Sequence, residues 1–142
     1  MLLRTATPDD AGWIQEQYEK VHFIPSDLAR DTVVIAEVDG RRAGIGRLVP
    51  AGDGACELGG MFVDDAFRGR GIARAIIDEL IRRAGSLDVY CVPFADLEAL
   101  YAAAGFRRIE PVGIPEGILR KLEWCAREID REVVVMRLAV GG

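Results

Sequence analysis

The segment that decides the fold reads Phe67-Arg68-Gly69-Arg70-Gly71-Ile72-Ala73. A strand-like run at residues 60–63 precedes it and a helix-like run at residues 72–84 follows it, so its glycines and arginines lie where a loop enters a helix. The first turn of a helix leaves backbone N–H groups unpaired at the positive end of the helix dipole, and glycine lets an anion approach them closely. The segment therefore predicts a phosphate site, to which arginine adds charge and a fork of donors.

The basic character of this segment is local. The chain has a net charge of −5, whereas residues 68–77 contain three arginines and no acidic residue. Only two lysines occur in the sequence, Lys20 and Lys121, which argues against a nucleic-acid partner. We therefore expect one bound anion at this loop rather than a general attraction to polyanions.

Length and composition predict a single domain spanning residues 1–142, with a substantial core. No apolar run is long enough to span a bilayer, and the first residues lack the apolar stretch of a signal peptide, so we expect no membrane association. The cysteines are three in number and far apart, and there is one histidine. This pattern disfavours a disulfide framework and a metal site, and predicts reduced thiols in the cytoplasm.

Hydrophobic periodicity and turn residues divide the chain into alternating elements. The predicted helices span residues 8–21, 72–84, 95–104 and 115–129, and the predicted strands span residues 2–6, 32–38, 42–49, 55–63, 87–92, 106–109 and 133–140. Asp39-Gly40 predicts a two-residue hairpin turn, and residues 51–54 predict a looser one. The order is βα, an antiparallel meander, then βαβαβ, which predicts an α/β (α+β) fold with a mixed sheet and helices on its faces.

Two motifs resemble those of one known family. Arg68-Gly69-Arg70-Gly71-Ile72-Ala73 resembles the R/Q-x-x-G-x-G/A signature of the GCN5-related N-acetyltransferases (GNAT family), and residues 100–106 resemble the family's L-Y-x-x-x-G-F element. The resemblance implies a mostly antiparallel sheet splayed between its two middle strands, with acetyl-CoA as co-substrate. By resemblance, the residues that bind acetyl-CoA are Met61, Phe62 and Val63 beside the pantetheine arm and Arg68, Gly69, Arg70, Gly71, Ile72, Ala73 and Arg74 at the pyrophosphate. Phe94 stands where many members carry a cofactor-contacting asparagine.

A glycine pair offers a physical reason for the splay. Gly59 and Gly60 weaken the interior of the strand at 55–63 and permit a bulge or a close backbone approach. If this strand and the strand at 87–92 separate there, unpaired ladder groups face the gap. An amide-bearing arm can pair with such groups like an added strand, which would place the thioester near the middle of the sheet.

Two residues are candidates for the proton transfers. Tyr101 is the candidate donor to the leaving thiolate, because a tyrosine pKa of about 10 lies above a thiol pKa of about 8.5. Its alternative role is that of a core residue whose hydroxyl is tied to a carbonyl. Glu57 is the candidate base, on the face that two-residue alternation would share with Met61 and Val63. Ordered water is the alternative base, and a solvent-facing carboxylate is the alternative role for Glu57.

The leading functional hypothesis is transfer of acetyl from acetyl-CoA to a primary amine, on a small molecule or a peptide, by direct attack in a ternary complex. The alternative is a non-catalytic acyl-CoA sensor or interaction module. A dinucleotide site fits poorly because the third glycine of its fingerprint is missing, and no P-loop lysine motif occurs. The helix at 115–129 is expected to form an acceptor wall or a homodimer contact, with an apolar stripe of Ile118, Leu119, Leu122, Cys125 and Ile129.

Overall fold

The computed structural model describes residues 1–139, and these residues form one mixed sheet with helices on both faces. The strands are β1 (Leu2–Thr5), β2 (Thr32–Val38), β3 (Arg41–Gly52), β4 (Ala55–Val63), β5 (Asp88–Cys91), β6 (Phe106–Arg108) and β7 (Met136–Leu138). Their spatial order is β1-β2-β3-β4-β5-β7-β6. The helices are α1 (Ala11–Lys20), α2 (Ile72–Ala84), α3 (Glu98–Ala103) and α4 (Glu116–Glu128). The predicted α+β class is confirmed.

Two tight turns build the meander of β2, β3 and β4. Asp39 and Gly40 have φ of 52° and 75°, as the predicted two-residue hairpin requires. Asp53 and Gly54 have φ of 53° and 74° and form an equally tight turn, because Gly52 pairs with Ala55. The prediction of a looser turn over residues 51–54 is therefore wrong. The last predicted strand, 133–140, is shorter in the structure, and Val140 lies outside the described residues.

The sheet splits between its middle strands. β4 and β5 are parallel, and they pair only where residues 55–57 lie beside residues 88–90. Beyond Glu57, β4 continues to Val63 while β5 ends at Cys91. Within residues 1–139, the second half of β4 therefore pairs with no strand on this side, and the predicted splay is confirmed.

A bulge in β4 lies beside this split. Arg47 of β3 pairs with Gly59, whereas Ile45 pairs with Phe62, so β4 contains one residue more than its partner. Gly60 takes a φ of 60°, which glycine adopts without steric cost. The glycine pair therefore does permit the bulge that the sequence predicts.

The bulge reverses which face of the sheet the β4 side chains occupy. Met61 and Val63 pack into the main core under α2. Glu57 lies on the opposite face, where its carboxylate meets Lys121 of α4. The prediction that Glu57 shares a face with Met61 and Val63 is wrong, because two-residue alternation does not continue through a bulge.

Three apolar clusters hold the helices against the sheet. The largest lies under α2 and α3 and includes Ile76, Leu80 and Tyr101. A second joins Ile14 and Tyr18 of α1 to β2 and β3, on the other face. The third seats α4 through its fully buried Ile118. These clusters fix α4 beside the open end of the split.

Candidate active site

The loop before α2 is open to an anion. Gly69 and Gly71 have φ of 79° and 75°, and a Cβ at either position would meet no atom within 4 Å. Gly71 is the N-cap of α2 and has no side chain to cap it. The first backbone bond of the helix runs from the Ala75 N–H to the Gly71 carbonyl. The N–H groups of residues 72–74 are therefore available to a ligand.

Arg68 and Arg74, on either side of this loop, form ion pairs at the surface. Arg68 Nε lies 3.0 Å from Asp65 Oδ1, and Arg74 Nε lies 3.0 Å from Asp78 Oδ1. The Arg68 side chain is 69% exposed. Surface ion pairs of this kind contribute about 0–1 kcal/mol. The guanidinium groups can therefore turn towards a bound anion at little cost.

The split between β4 and β5 opens into a central cavity of about 120 Å³. Side chains from both faces of the sheet line it, because the split interrupts the layer that would otherwise separate them. Tyr101 and Glu57, the two candidates for proton transfer, both line this one cavity. Met61 lines it as well. The fold thus brings Tyr101, Glu57 and Met61 together.

Tyr101 lies almost fully buried on α3, with its ring edge-on to Phe106 at 6.0 Å. Burial raises the pKa of its hydroxyl well above the ordinary value of 10.0. Within residues 1–139 the hydroxyl makes no hydrogen bond to a protein group. The alternative of a core tyrosine tied to a carbonyl therefore finds no partner carbonyl in this part of the chain, and the hydroxyl is free to donate to a ligand.

Glu57 forms an ion pair across the cavity. Its Oε2 lies 3.7 Å from Lys121 Nζ, and both side chains are largely buried, with 12% and 19% of their surfaces exposed. Sequence reasoning did not identify Lys121, because no local pattern links a strand residue to a helix more than sixty positions later. The predicted alternative of a solvent-facing carboxylate is not what the structure shows.

A second cavity, of about 590 Å³, adjoins the first and lies between α4 and the segment 24–31. The two cavities share four lining residues: Arg47, Glu57, Lys121 and Trp124. α4 therefore forms a wall of both cavities, in keeping with the acceptor-wall alternative for this helix. The apolar stripe of α4 is buried at Ile118 and Cys125, whereas Leu119 is 43% exposed. α4 packs closely on β3 at Gly117, where a Cβ would lie 2.8 Å from the Cα of Ala51.

Arg47 is a further residue that the sequence did not reveal. Its side chain is 4% exposed, and its guanidinium lies 4.7 Å from the centre of the Tyr18 ring. Its Nη2 donates to the Ile24 carbonyl at 2.9 Å. A charged residue in the middle of an apolar strand is the available signal, but only the bulge at Gly60 shows why the strand accommodates it.

The three cysteines are buried, and burial raises the pKa of the Cys91 and Cys56 thiols, the latter to about 11. Such thiols are poor nucleophiles. No cluster of three or more His, Cys, Asp or Glu side chains suited to a metal ion occurs in residues 1–139. In the same range no helix combines the length and the apolar character that crossing a bilayer requires.

Solved structures with the same fold include several acyltransferases. Rv2747 from Mycobacterium tuberculosis, solved in complex with CoA and NLQ, matches 99% of this chain and 100% of its own, with a TM-score of 0.79 and 20% identity. N-acetylglutamate synthase from Neisseria gonorrhoeae, complexed with coenzyme A and L-arginine, matches 97% of this chain and 33% of its own, with a TM-score of 0.73 and 17% identity. A ribosomal-protein-alanine N-acetyltransferase from Brucella melitensis matches 96% of this chain and 98% of its own, with a TM-score of 0.68 and 21% identity.

Sequence comparison gives one curated relative and one family. An uncharacterized protein of Mycobacterium leprae, ML0378, is 41% identical over 70 residues, which are 47% of this chain and 20% of that protein. This chain thus aligns with about a fifth of the relative's length. The model of the acetyltransferase (GNAT) domain matches residues 29–108, more than half of the chain, and this range contains the glycine loop, α2 and Tyr101. The chain therefore belongs to the GNAT family of acyl-CoA N-acyltransferases.

Proposed function

We propose that this protein transfers the acetyl group of acetyl-CoA to a primary amine by direct attack in a ternary complex. One observation carries the proposal: the split between β4 and β5 opens into a single cavity that both Tyr101 and Glu57 line. The uncapped glycine loop lies at the other end of the same strand. Two substrates can therefore meet at the split, each entering from its own side.

The residues present fit coenzyme A. The open N–H groups at residues 72–74, with the glycines and with Arg68, Arg70 and Arg74 beside them, suit a pyrophosphate. The unpaired edge of β4 over Met61, Phe62 and Val63 suits an amide-bearing arm. When bound, acetyl-CoA would supply an activated thioester. The Phe62 side chain packs edge-on to Trp13 of α1 at 6.4 Å, so its part would be played by its backbone.

Tyr101 would act as the donor to the leaving sulfur. Burial raises its pKa, so its proton stays in place throughout the physiological range of pH. The same shift makes complete proton transfer to a thiolate unfavourable, since the thiol pKa is about 8.5. We therefore assign Tyr101 a hydrogen bond that strengthens as negative charge develops on sulfur.

Glu57 would take a proton from the acceptor amine. An alkylammonium has a pKa of about 10.4, so a neutral amine has to be generated at the site. The Glu57 carboxylate lies where the two cavities join, and Lys121 holds it against α4. It would accept the proton directly or through an ordered water.

Thiol release tests this proposal. The purified protein is mixed with acetyl-CoA and a panel of amines that includes amino acids, polyamines, aminoglycosides and short peptides, and free thiol is followed with a thiol reagent. The buried cysteines keep the background low. Amine-dependent release supports acetyl transfer. Tight binding of acetyl-CoA without release across the whole panel would instead support the non-catalytic sensor.

A further inference from the structure

Arg47 is a buried cation that lacks an anionic partner within residues 1–139. Its side chain is 96% buried, and no carboxylate of this range lies within 4.0 Å of it. Its Nη1 is buried and has no hydrogen-bond partner among the same residues. Arg47 cannot relieve this situation by losing its proton, because the arginine side chain stays protonated in proteins. Buried charges in proteins are ordinarily paired, so this one calls for an explanation.

The surroundings of Arg47 hold the guanidinium in place without neutralising it. The Tyr18 ring packs against it, and the Ile24 carbonyl accepts from Nη2 at 2.9 Å. A Cβ at residue 60 would lie 2.8 Å from Arg47 Nε, so glycine at this position makes room for the side chain. Within residues 1–139, Nη1 is therefore the guanidinium nitrogen that has no hydrogen-bond acceptor.

Two carboxylates that line the larger cavity with Arg47, those of Asp31 and Glu57, have other partners. Asp31 lines the larger cavity with Arg47, but its Oδ2 accepts from the Ser26 hydroxyl at 2.8 Å and from the Asp27 N–H at 3.0 Å. Glu57 is paired with Lys121. Within residues 1–139, an arginine without an ion-pair partner therefore lies at the junction of the two cavities, while Asp31 and Glu57 are engaged elsewhere.

We infer that Arg47 binds the carboxylate of the acceptor, and that the acceptor is an amino acid or a similar small amino carboxylate. The inference rests on the proposed acetyl transfer and names the substrate class for it. Arg47 and Glu57 line the same two cavities, so a carboxylate at Arg47 places an amine a few bonds away beside Glu57. A guanidinium and a carboxylate form the short, charge-assisted pair that best satisfies the free Nη1.

The decisive experiment compares matched acceptors. Each proteinogenic amino acid is assayed beside its own carboxamide by thiol release from acetyl-CoA, with the native protein and the Arg47→Gln variant. At least one amino acid should exceed its amide in kcat/KM by about tenfold or more, the size of one charge-assisted hydrogen bond. Arg47→Gln should abolish that preference, because it removes the group that distinguishes the acid from its amide.

Two variants and one binding measurement serve as controls. Arg47→Lys keeps the positive charge but loses the paired donors of the guanidinium. This variant should therefore lose most of the preference for an amino acid over its amide. Arg137 also lies against a tyrosine ring, but it is paired with Asp88 and lines neither cavity. Arg137→Gln should therefore leave the preference for an amino acid over its amide intact. Coenzyme A should bind native protein and Arg47→Gln equally. Weaker binding to the variant would mean that Arg47 serves the cofactor arm, which overturns the inference.

The remaining outcomes are also decisive. If amides or simple amines are preferred by the native protein, or if Arg47→Gln slows acid and amide alike, acetyl transfer stands and the carboxylate inference is overturned. If no amine is acetylated, thermal unfolding with coenzyme A and each amino acid present tests the carboxylate site separately from acetyl transfer. Stabilisation by an amino acid in the native protein but not in Arg47→Gln supports the carboxylate site while the transfer fails. No stabilisation by any amino acid overturns both.

Discussion

The hydroxyl of Tyr18 on α1 donates a 2.7 Å hydrogen bond to the carbonyl of Gly60 in the bulge of β4. Tyr18 is almost fully buried, and burial raises the pKa of its hydroxyl, so the donor keeps its proton. The same ring packs against the Arg47 guanidinium. One side chain thus fixes both the backbone at the split and the unpaired arginine beside it.

Replacing Tyr18 by Phe removes this donor from the partly buried Gly60 carbonyl. We expect the free energy of unfolding to fall by about 1 kcal/mol, the net contribution of one hydrogen bond. Urea unfolding measures the change. Tyr90→Phe is the matched control, since Tyr90 is also buried but its hydroxyl makes no hydrogen bond within residues 1–139, and it should change stability by less than about 0.5 kcal/mol. Equal effects of the two substitutions would contradict the role of Tyr18.

Gly60→Ala should destabilise the protein more than an alanine at another left-handed glycine. A Cβ at residue 60 would lie 2.5 Å from the Tyr18 hydroxyl oxygen, whereas a Cβ at Gly40 meets no atom within 4 Å. Both positions have positive φ, which costs a non-glycine residue about 1–2 kcal/mol. Denaturant unfolding gives the loss in free energy of unfolding for each variant. The amount by which the loss for Gly60→Ala exceeds that for Gly40→Ala therefore measures the steric conflict. If there is no excess, the bulge can move without penalty.

Gly71→Ala should weaken coenzyme A binding by about tenfold, because a Cβ would stand between the phosphates and the open N–H groups of α2. Gly85→Ala is the matched control, since Gly85 also has a positive φ, lies at the other end of α2 and has open space around it. Calorimetry with coenzyme A and with pantetheine checks the result. Pantetheine should bind both variants equally, and equal affinity of the native protein for the two ligands would rule out the phosphate cradle.

Tyr101→Phe should lower kcat by about 10²-fold, the size of losing one preorganised hydrogen bond to a developing negative charge, with KM for acetyl-CoA nearly unchanged. Because burial raises the Tyr101 pKa above its ordinary value of 10.0, the native enzyme should lose no activity through this hydroxyl below pH 10. Steady-state thiol release at several pH values measures both. A loss of less than threefold in kcat would remove Tyr101 from the mechanism.

Asp10 should make the stability of the protein depend on acid pH. Its carboxylate is buried and accepts from Arg4 at 2.7 and 2.8 Å, from Arg42 at 2.9 Å and from the Thr7 N–H at 2.7 Å. The Arg4 hydrogen bonds, foremost, hold its pKa well below the ordinary value of 3.8. The contribution is thus complete above the unfolded pKa of about 4 and is lost as pH falls below it.

Urea unfolding at pH 6 and pH 3 tests this dependence. Asp10→Asn should cost about 3 kcal/mol at pH 6, because it leaves Arg4 and Arg42 without their shared anion, and less at pH 3. Glu79→Gln is the control, since Arg82 and Arg83 lie three and four residues from Glu79 on the same helix, and it should cost less than Asp10→Asn at pH 6. A cost for Asp10→Asn that is the same at both pH values would contradict the pKa shift.

Elements bounded by clear turn residues could be predicted to the residue. The bounds of β2, β4 and α2 match the predicted ranges, because Asp39-Gly40, Gly54 and the glycines at 69 and 71 mark their ends with conformations that few other residues adopt. The glycine loop and the tyrosine motif likewise occur as short continuous stretches. Local chemistry was sufficient for these features, since each depends on residues that are neighbours in the chain.

The acceptor side of the site could not be predicted in the same way. Lys121 meets Glu57 only because α4 folds back over β3 and β4, and Arg47 is buried only because the neighbouring strand bulges. The glycine pair predicts a bulge but not which residue is the extra one, and that single register step decides which face each later side chain occupies. These contacts depend on tertiary geometry that no periodicity encodes.

The bulge at Gly60 also divides β4 into two parts that can change independently during evolution. Met61 and Val63 after it pack under α2, and Glu57 before it pairs with Lys121 of α4. If Arg47 and Glu57 serve the acceptor as proposed, substitutions at positions 47 or 121 would alter the choice of second substrate without disturbing the first. A duplicated gene with this layout could acquire a new specificity through a few changes on one side of the sheet, while the machinery for the shared donor is passed on intact.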